Sequence, residues 1–166
     1  MLKLNIVNLS ASVDIRNIEI HPDEIELDAP EYVSPIKAKF SLNKVGTEIY
    51  VRADLDADCE CLCDRCLEPF TAKITEMVRM IYTCSSDLII KNEDYVFSIN
   101  EGANEIDVTK PIKETLILGI PIKKVCTQDC KGLCSHCGEN LNITTCNCVQ
   151  VEVDPRWEAL SKLVSK

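Results

Sequence analysis

Glycine, histidine and basic residues are all scarce in this chain. Its 166 residues hold only five glycines, and none stands in a Walker or dinucleotide-binding arrangement, so the sequence offers no phosphate loop. The two histidines suggest no chemistry. His21 stands alone before a proline, where a surface loop is expected, and His136 lies between two cysteines with its ring expected to face solvent. No apolar run approaches the roughly 18 residues of a membrane span, and Asn5, Asn8 and Ser10 interrupt the N-terminal stretch that would otherwise read as a signal. A cytoplasmic location without membrane contact is expected. Lys and Arg number 18 against 27 Asp and Glu, a formal net charge of -9. General nucleic-acid binding depends on basic side chains neutralising phosphates, so any RNA contact has to be local or made through a protein partner. A nucleophile with its base and a carboxylate pair with a plausible cleft are also missing. The chain is expected to be no enzyme and to take no small-molecule substrate.

Cysteine, by contrast, is abundant: there are eleven. An odd count without an export signal argues against a disulfide framework. Six of them fall between Cys126 and Cys148 with the spacing C-x3-C-x3-C-x2-C-x8-C-x-C, which is a metal-site pattern. Cys134 and Cys137 bracket a tight turn closed by Gly138, whose permissive backbone lets amides point at sulfur. Zinc takes four ligands in a tetrahedron, with sulfur at about 2.3 Å. Cys134 and Cys137 supply two, and Cys126, Cys130, Cys146 and Cys148 compete for the others. With thiolates in surplus, a closed structural Zn2+ site is expected rather than a catalytic one with an open position.

The rest of the chain reads as α+β. Residues 1 to 43 hold short apolar stretches separated by Pro22, Pro30 and Pro35, consistent with short strands and loops. After a turn at Asn43 to Gly46, odd positions from Ile49 to Cys63 are apolar or cysteine while even positions are mainly polar, the period of a half-buried strand. The pattern resumes on even positions from Phe70 to Cys84. This predicts a long hairpin, with 63 opposite 70 and Glu60 opposite Lys73, within a curved antiparallel sheet. Cys59, Cys61 and Cys84 fall on the inner face as buried thiols. Cys63 and Cys66, at the hairpin tip, could be half of a second metal site, a redox dithiol or a structural turn.

Ser85 to Asp94 reads as a surface loop and Tyr95 to Ile99 as a strand. A packed helix is predicted over Ile106 to Ile120, capped by Asp107 or Thr109 and ended by Gly119 to Pro121. Val149 to Val153 reads as extended, and a short terminal helix opens at Asp154 with a stripe of Trp157, Leu160 and Val164. The expected division is a β-rich domain with the packed helix over 1–120 and a cysteine-rich zinc-binding tail with the terminal helix over 121–166.

Four pieces stand in order: CDRCLEPF at 63 to 70, IDVTKPIKETLILGIPIKKVC at 106 to 126, DCKGLCSHCGENLN at 129 to 142 with CNC at 146 to 148, and DPRWEALSKL at 154 to 163. As a set they resemble the YceD family, the large ribosomal RNA subunit accumulation proteins of bacteria and plastids. The resemblance implies a non-enzymatic factor in large-subunit ribosomal RNA accumulation and ribosome biogenesis, binding ribosomal RNA or a ribosome-biogenesis protein. It maps the family's paired-cysteine signature onto Cys63, Arg65 and Cys66, and the cysteine-rich tail of some members onto Cys126, Cys130, Cys134, Cys137, Cys146 and Cys148. Arg65, Lys123, Lys124 and Lys131 are candidate RNA or partner contacts; the alternative is that the lysines only offset thiolate charge. A competing function, from another class, is a thiol-based redox or zinc-responsive protein using Cys63 and Cys66.

Overall fold

The computed structural model describes residues 1–7, 9, 12–84, 95–148 and 156. The extended Val149 to Val153, the terminal helix and the loop from Ser85 to Asp94 lie outside the described residues. Seven strands and one α-helix occur among those described: β1 (Lys3–Asn5), β2 (Asp14–Ile20), β3 (Ile36–Val45), β4 (Glu48–Leu62), β5 (Pro69–Thr83), β6 (Val96–Ser98), β7 (Glu105–Asp107) and α1 (Thr109–Gly119). A 3-10 turn, Pro22–Ile25, follows β2. The expected α+β class holds.

The main sheet is open and curved, with order β2-β3-β4-β5-β6. Its pairs are antiparallel except β5 with β6, which run parallel. β1 and β7 form a separate antiparallel pair. The alternating pattern of the sequence becomes one buried face: Ile36, Ala38, Phe40 and Leu42 from β3, Ile49 to Cys61 at odd positions from β4, and Ile74, Val78, Met80 and Tyr82 from β5. Against this face α1 buries Ile112 and Leu116. The opposite face carries the charged residues of β4 into solvent.

The helix begins later than the sequence period implies. Ile106 and Val108 look helical in spacing, but Ile106 lies in β7 opposite Leu4, so β pairing takes Ile106 and Asp107, Val108 becomes the N-cap, and α1 starts at Thr109, whose N–H donates to Asp107 Oδ1 at 2.9 Å. Pro111 fits the first turn, where its missing N–H costs nothing. At the other end Ile120 is extended, as a residue preceding proline prefers. Two buried tyrosines fasten the helix and β7, Tyr32 from the loop before β3 and Tyr82 from β5. Tyr32 Oη donates to the Leu116 carbonyl at 2.7 Å, one of the last-turn acceptors without an intrahelical partner. Tyr82 Oη donates to the Asp107 carbonyl at 2.7 Å.

The hairpin forms with a register two residues away from the expected one. Cys61 faces Phe70, Leu62 faces Pro69, and Lys73 lies opposite Asp58 rather than Glu60. A shift of two keeps every side chain on its face, so the same residues form the core while the partners across the pair change on both faces. The tip explains the shift: residues 63 to 68 leave the ladder to form a knuckle of their own. The turn before β4 also sits later, with Val45 paired to Glu48 across Gly46 and Thr47.

Candidate metal centre

Two short segments fold the same way. In the hairpin tip, Leu67 N–H donates to the Cys63 carbonyl at 2.9 Å and Cys63 N–H to the Glu68 carbonyl at 2.9 Å. In the tail, Gly138 N–H donates to the Cys134 carbonyl at 2.9 Å and Cys134 N–H to the Glu139 carbonyl at 2.8 Å. The fifth residue of each turn has a left-handed backbone, Leu67 at φ 59 and Gly138 at φ 75. CDRCLE and CSHCGE are therefore two copies of one knuckle. The repeat is visible in the sequence as C-x2-C-x-E, but leucine stands at a position where glycine would signal the turn, because an L side chain pays about 1–2 kcal/mol for that conformation.

The tail is laced to the hairpin by main-chain bonds. Asp64 N–H donates to the Lys124 carbonyl at 2.7 Å, and Lys124 N–H donates back to Asp64 Oδ2 at 2.7 Å. Leu133 N–H donates to the Arg65 carbonyl at 3.0 Å. The Arg65 guanidinium reaches the carbonyls of Cys130 at 2.8 Å and Gln128 at 3.3 Å. Lys124 Nζ lies 2.8 Å from Glu31 Oε1, and this contact holds the Glu31 carboxyl below its usual range. Of the four cationic contacts considered above, Arg65 and Lys124 thus spend their charge within the chain, while Lys123 and Lys131 have exposed side chains.

These contacts sort eight cysteines into two groups of four, Cys63, Cys66, Cys126 and Cys130, and Cys134, Cys137, Cys146 and Cys148, with the sulfurs of each group within 4.8 Å of one another. The first group joins hairpin to tail. A tetrahedron with arms of about 2.3 Å has edges of about 3.8 Å. Cys63 and Cys130 sulfurs stand 3.8 Å apart and those of Cys66 and Cys126 stand 3.7 Å apart, so the donor set fits a four-thiolate metal in both chemistry and size. Cys63, Cys66 and Cys130 are buried and Cys126 is half-buried; in the second group Cys134 is buried while Cys137 and Cys148 are exposed.

Backbone and amide donors support negative sulfur. Cys126 N–H points at Cys63 Sγ at 3.4 Å, Asn142 Nδ2 at Cys130 Sγ at 3.3 Å, and His136 N–H at Cys134 Sγ at 3.5 Å. Burial works against the Cys63 thiolate, yet the amides of Cys126, Cys66 and Arg65 outweigh it and bring its pKa down to about 6. The amides of Cys137 and His136 bring Cys134 down to about 6 as well. Cys148, hydrogen-bonded to Cys137, is pushed up to about 12. In the first group Cys130 is also brought down: burial works against its thiolate, and the Asn142 amide and the Gly132 N–H outweigh it.

The remaining cysteines stay outside both groups. Cys59 and Cys61 are buried in the core, their sulfurs 3.3 Å apart. Cys84 is a correction: it is exposed, because β5 ends at Thr83 and the alternation that would turn Cys84 inward stops one residue before it.

The profile of the large ribosomal RNA subunit accumulation protein YceD matches residues 51–164, which spans the hairpin, α1 and both cysteine groups. The chain belongs to the YceD family. Over 143 residues it is 24% identical to an uncharacterized protein of Mycobacterium leprae, covering 85% of this chain and 64% of that protein. It is 41% identical over 59 residues to the large ribosomal RNA subunit accumulation protein YCED homolog 1, chloroplastic, of Arabidopsis thaliana, covering 36% of this chain and 18% of the relative. The corresponding protein of Zea mays is 49% identical over 45 residues, covering 26% of this chain and 15% of the relative. The chain therefore spans less than two thirds of each of these relatives. No solved structure matches it. Among the described residues, no helix is long and apolar enough to cross a membrane.

Proposed function

We propose that this YceD family member is a non-enzymatic, cytoplasmic factor in the accumulation of large-subunit ribosomal RNA, acting by binding that RNA or a ribosome-biogenesis protein, with two structural Zn2+ ions. The family match carries the biological reading. The sulfur spacing carries the chemical one: four thiolates per group fill zinc's coordination shell, leaving no position for a reacting water. Cys63, Cys66, Cys126 and Cys130 hold one ion, and Cys134, Cys137, Cys146 and Cys148 the other. Each filled site adds a charge of -2 to an already acidic chain, which favours a protein partner or a few local phosphate contacts over broad RNA binding. Removing the gene from its native cell is expected to lower large-subunit relative to small-subunit ribosomal RNA, and returning the intact gene to restore it. An unchanged ratio would sink the proposal.

Acid is expected to release the metal, because protons compete with zinc for thiolate. The sign follows from Cys63 and Cys134, whose folded pKa of about 6 lies below the ordinary thiol value of 9.0. Their stabilising contribution is complete above 9.0 and is lost as pH falls through about 6. With zinc bound the thiolates are held more strongly still, so the release midpoint should lie below about 6. A chelating dye followed against pH measures it, and release that increased with rising pH between 6 and 9 would contradict the assignment.

A further inference from the structure

Away from both cysteine groups, one side of β5 is unpaired over most of its length among the described residues. β4 pairs with β5 along its inner edge from Pro69 to Tyr82. On the outer edge β6 pairs only with Ile81, Tyr82 and Thr83. Just before β6, the Tyr95 carbonyl accepts from Ile81 N–H at 2.9 Å, with Tyr95 at φ 68. From Pro69 to Met80, no backbone group of the described residues bonds to that outer edge. About half the peptide groups of a strand point to each side, so a row of N–H and C=O groups faces outward there, the template to which another strand can add.

A groove of about 470 Å³ runs beside this edge. It touches Glu76, Met77, Val78 and Arg79 in succession, and since consecutive strand residues point to opposite faces, a cavity meeting all four must lie along the strand's edge. Its far wall is the end of α1, where Leu118 is 78% exposed. On the solvent face of the same strand stand Lys73 and Arg79. Neither has a carboxylate within 4.0 Å among the described residues. Across the sheet Lys73 faces Asp58, and Arg79 faces Arg52, whose own charge is taken by Asp54 at 2.6 Å.

We propose that the outer edge of β5, from Pro69 to Met80, receives an extended segment of a partner protein as an added strand, with apolar side chains of that segment entering the groove against Val78 and Leu118 and acidic ones meeting Lys73 and Arg79. The inference rests on the reading of the chain as a binding factor and names the class of its partner; it does not depend on the metal. Main-chain bonds supply affinity in this mode and alternate side chains supply selectivity. A second copy of the chain is a poor occupant, because an antiparallel β5 pair centred on Glu76 sets Lys73 against the copy's own Arg79, and like charges directly opposite destabilise a pair. RNA would use the two cations and leave the outward peptide groups without strand partners. The other open edge, β2, is seven residues long, and Arg16 there reaches across to the Asn5 carbonyl at 2.6 Å.

The test uses the zinc-loaded full chain, amide hydrogen exchange resolved by residue, and short peptides alternating valine with glutamate or valine with lysine. In the free chain, alternate amides from Thr71 to Val78 should exchange fast. The glutamate peptide should slow them, and the double variant K73E/R79E should weaken that peptide by about tenfold and favour the lysine peptide instead, with zinc content unchanged. Three results would overturn the proposal: equal response to both peptides, outer-edge amides already protected in the free chain, or protection by oligouridine but by neither peptide. Because binding is read on purified protein, its failure is separate from an unchanged ribosomal RNA ratio in cells.

Discussion

Cys66→Ser is expected to remove one of the two proposed zinc ions and to release the tail from the hairpin. Serine is a poor ligand at neutral pH, and three thiolates do not complete the tetrahedron zinc requires. The group that Cys66 belongs to joins residues 60 positions apart, Cys66 and Cys126, so its loss reopens a long loop as well as a metal site. Structural zinc sites contribute apparent free energies of about 10–16 kcal/mol near neutral pH. Against that, the contacts left to hold the tail are a few hydrogen bonds, each worth about 1 kcal/mol net. The apolar support is also small, Val125, Leu133 and Phe70 around the buried sulfurs. Amide protection should therefore fall from Val125 to Leu133 while β3, β4 and β5 keep theirs, since their core of Phe40, Leu42, Val51 and Met80 has no part in the site. Metal analysis should give one zinc per chain. Cys148→Ser should also give one zinc, with disorder confined to residues 134 to 148. If both variants kept two ions, the division into two groups would be wrong.

Gly132→Ala should weaken the junction between the two knuckles by several kcal/mol. Gly132 stands at φ 76, and a Cβ there would lie 3.0 Å from the Arg65 carbonyl oxygen. The backbone conformation alone costs about 1–2 kcal/mol for alanine, and overpacking against a rigid main-chain atom adds about 1–3 kcal/mol. The same carbonyl accepts the Leu133 N–H at 3.0 Å, and the Gly132 carbonyl accepts the Leu141 N–H at 2.9 Å, so relief of the clash breaks the contacts that dock the second knuckle on the first. Gly138→Ala provides the comparison. Its φ of 75 is similar but nothing lies within 4 Å of the added Cβ, so only the conformational cost applies. Zinc competition with a graded chelator should show the Gly132 variant losing metal far more readily than the Gly138 variant. Equal behaviour would mean that the close approach to Arg65 carries no energy.

The core was readable because burial and strand geometry both follow local sequence. Odd positions of β4 and, Glu76 apart, even positions of β5 are apolar in the chain and inward in the fold. Local spacing failed where a contact from elsewhere intervened. Ile106 has helical spacing, but Leu4 draws it into a strand pair. The hairpin register is set by a six-residue knuckle at its tip, and no cross-strand charge pair is strong enough to override that.

The cysteines divide along the same line. Thiols at metal-site spacing, the knuckle at Cys134 to Gly138 and the surplus of thiols over one tetrahedron were all present in the sequence, since a knuckle is a local turn whose cysteines lie within a few residues. Which thiols stand together was decided only by tertiary structure. Cys126 and Cys130 lie closer in sequence to Cys134 than to Cys63, yet reciprocal bonds between Asp64 and Lys124 and the reach of Arg65 to Cys130 carry them to the hairpin tip. Linear spacing sets which residues can meet in a turn; the pairing of distant ones depends on hydrogen bonds that exist only once the tail has folded back on the sheet.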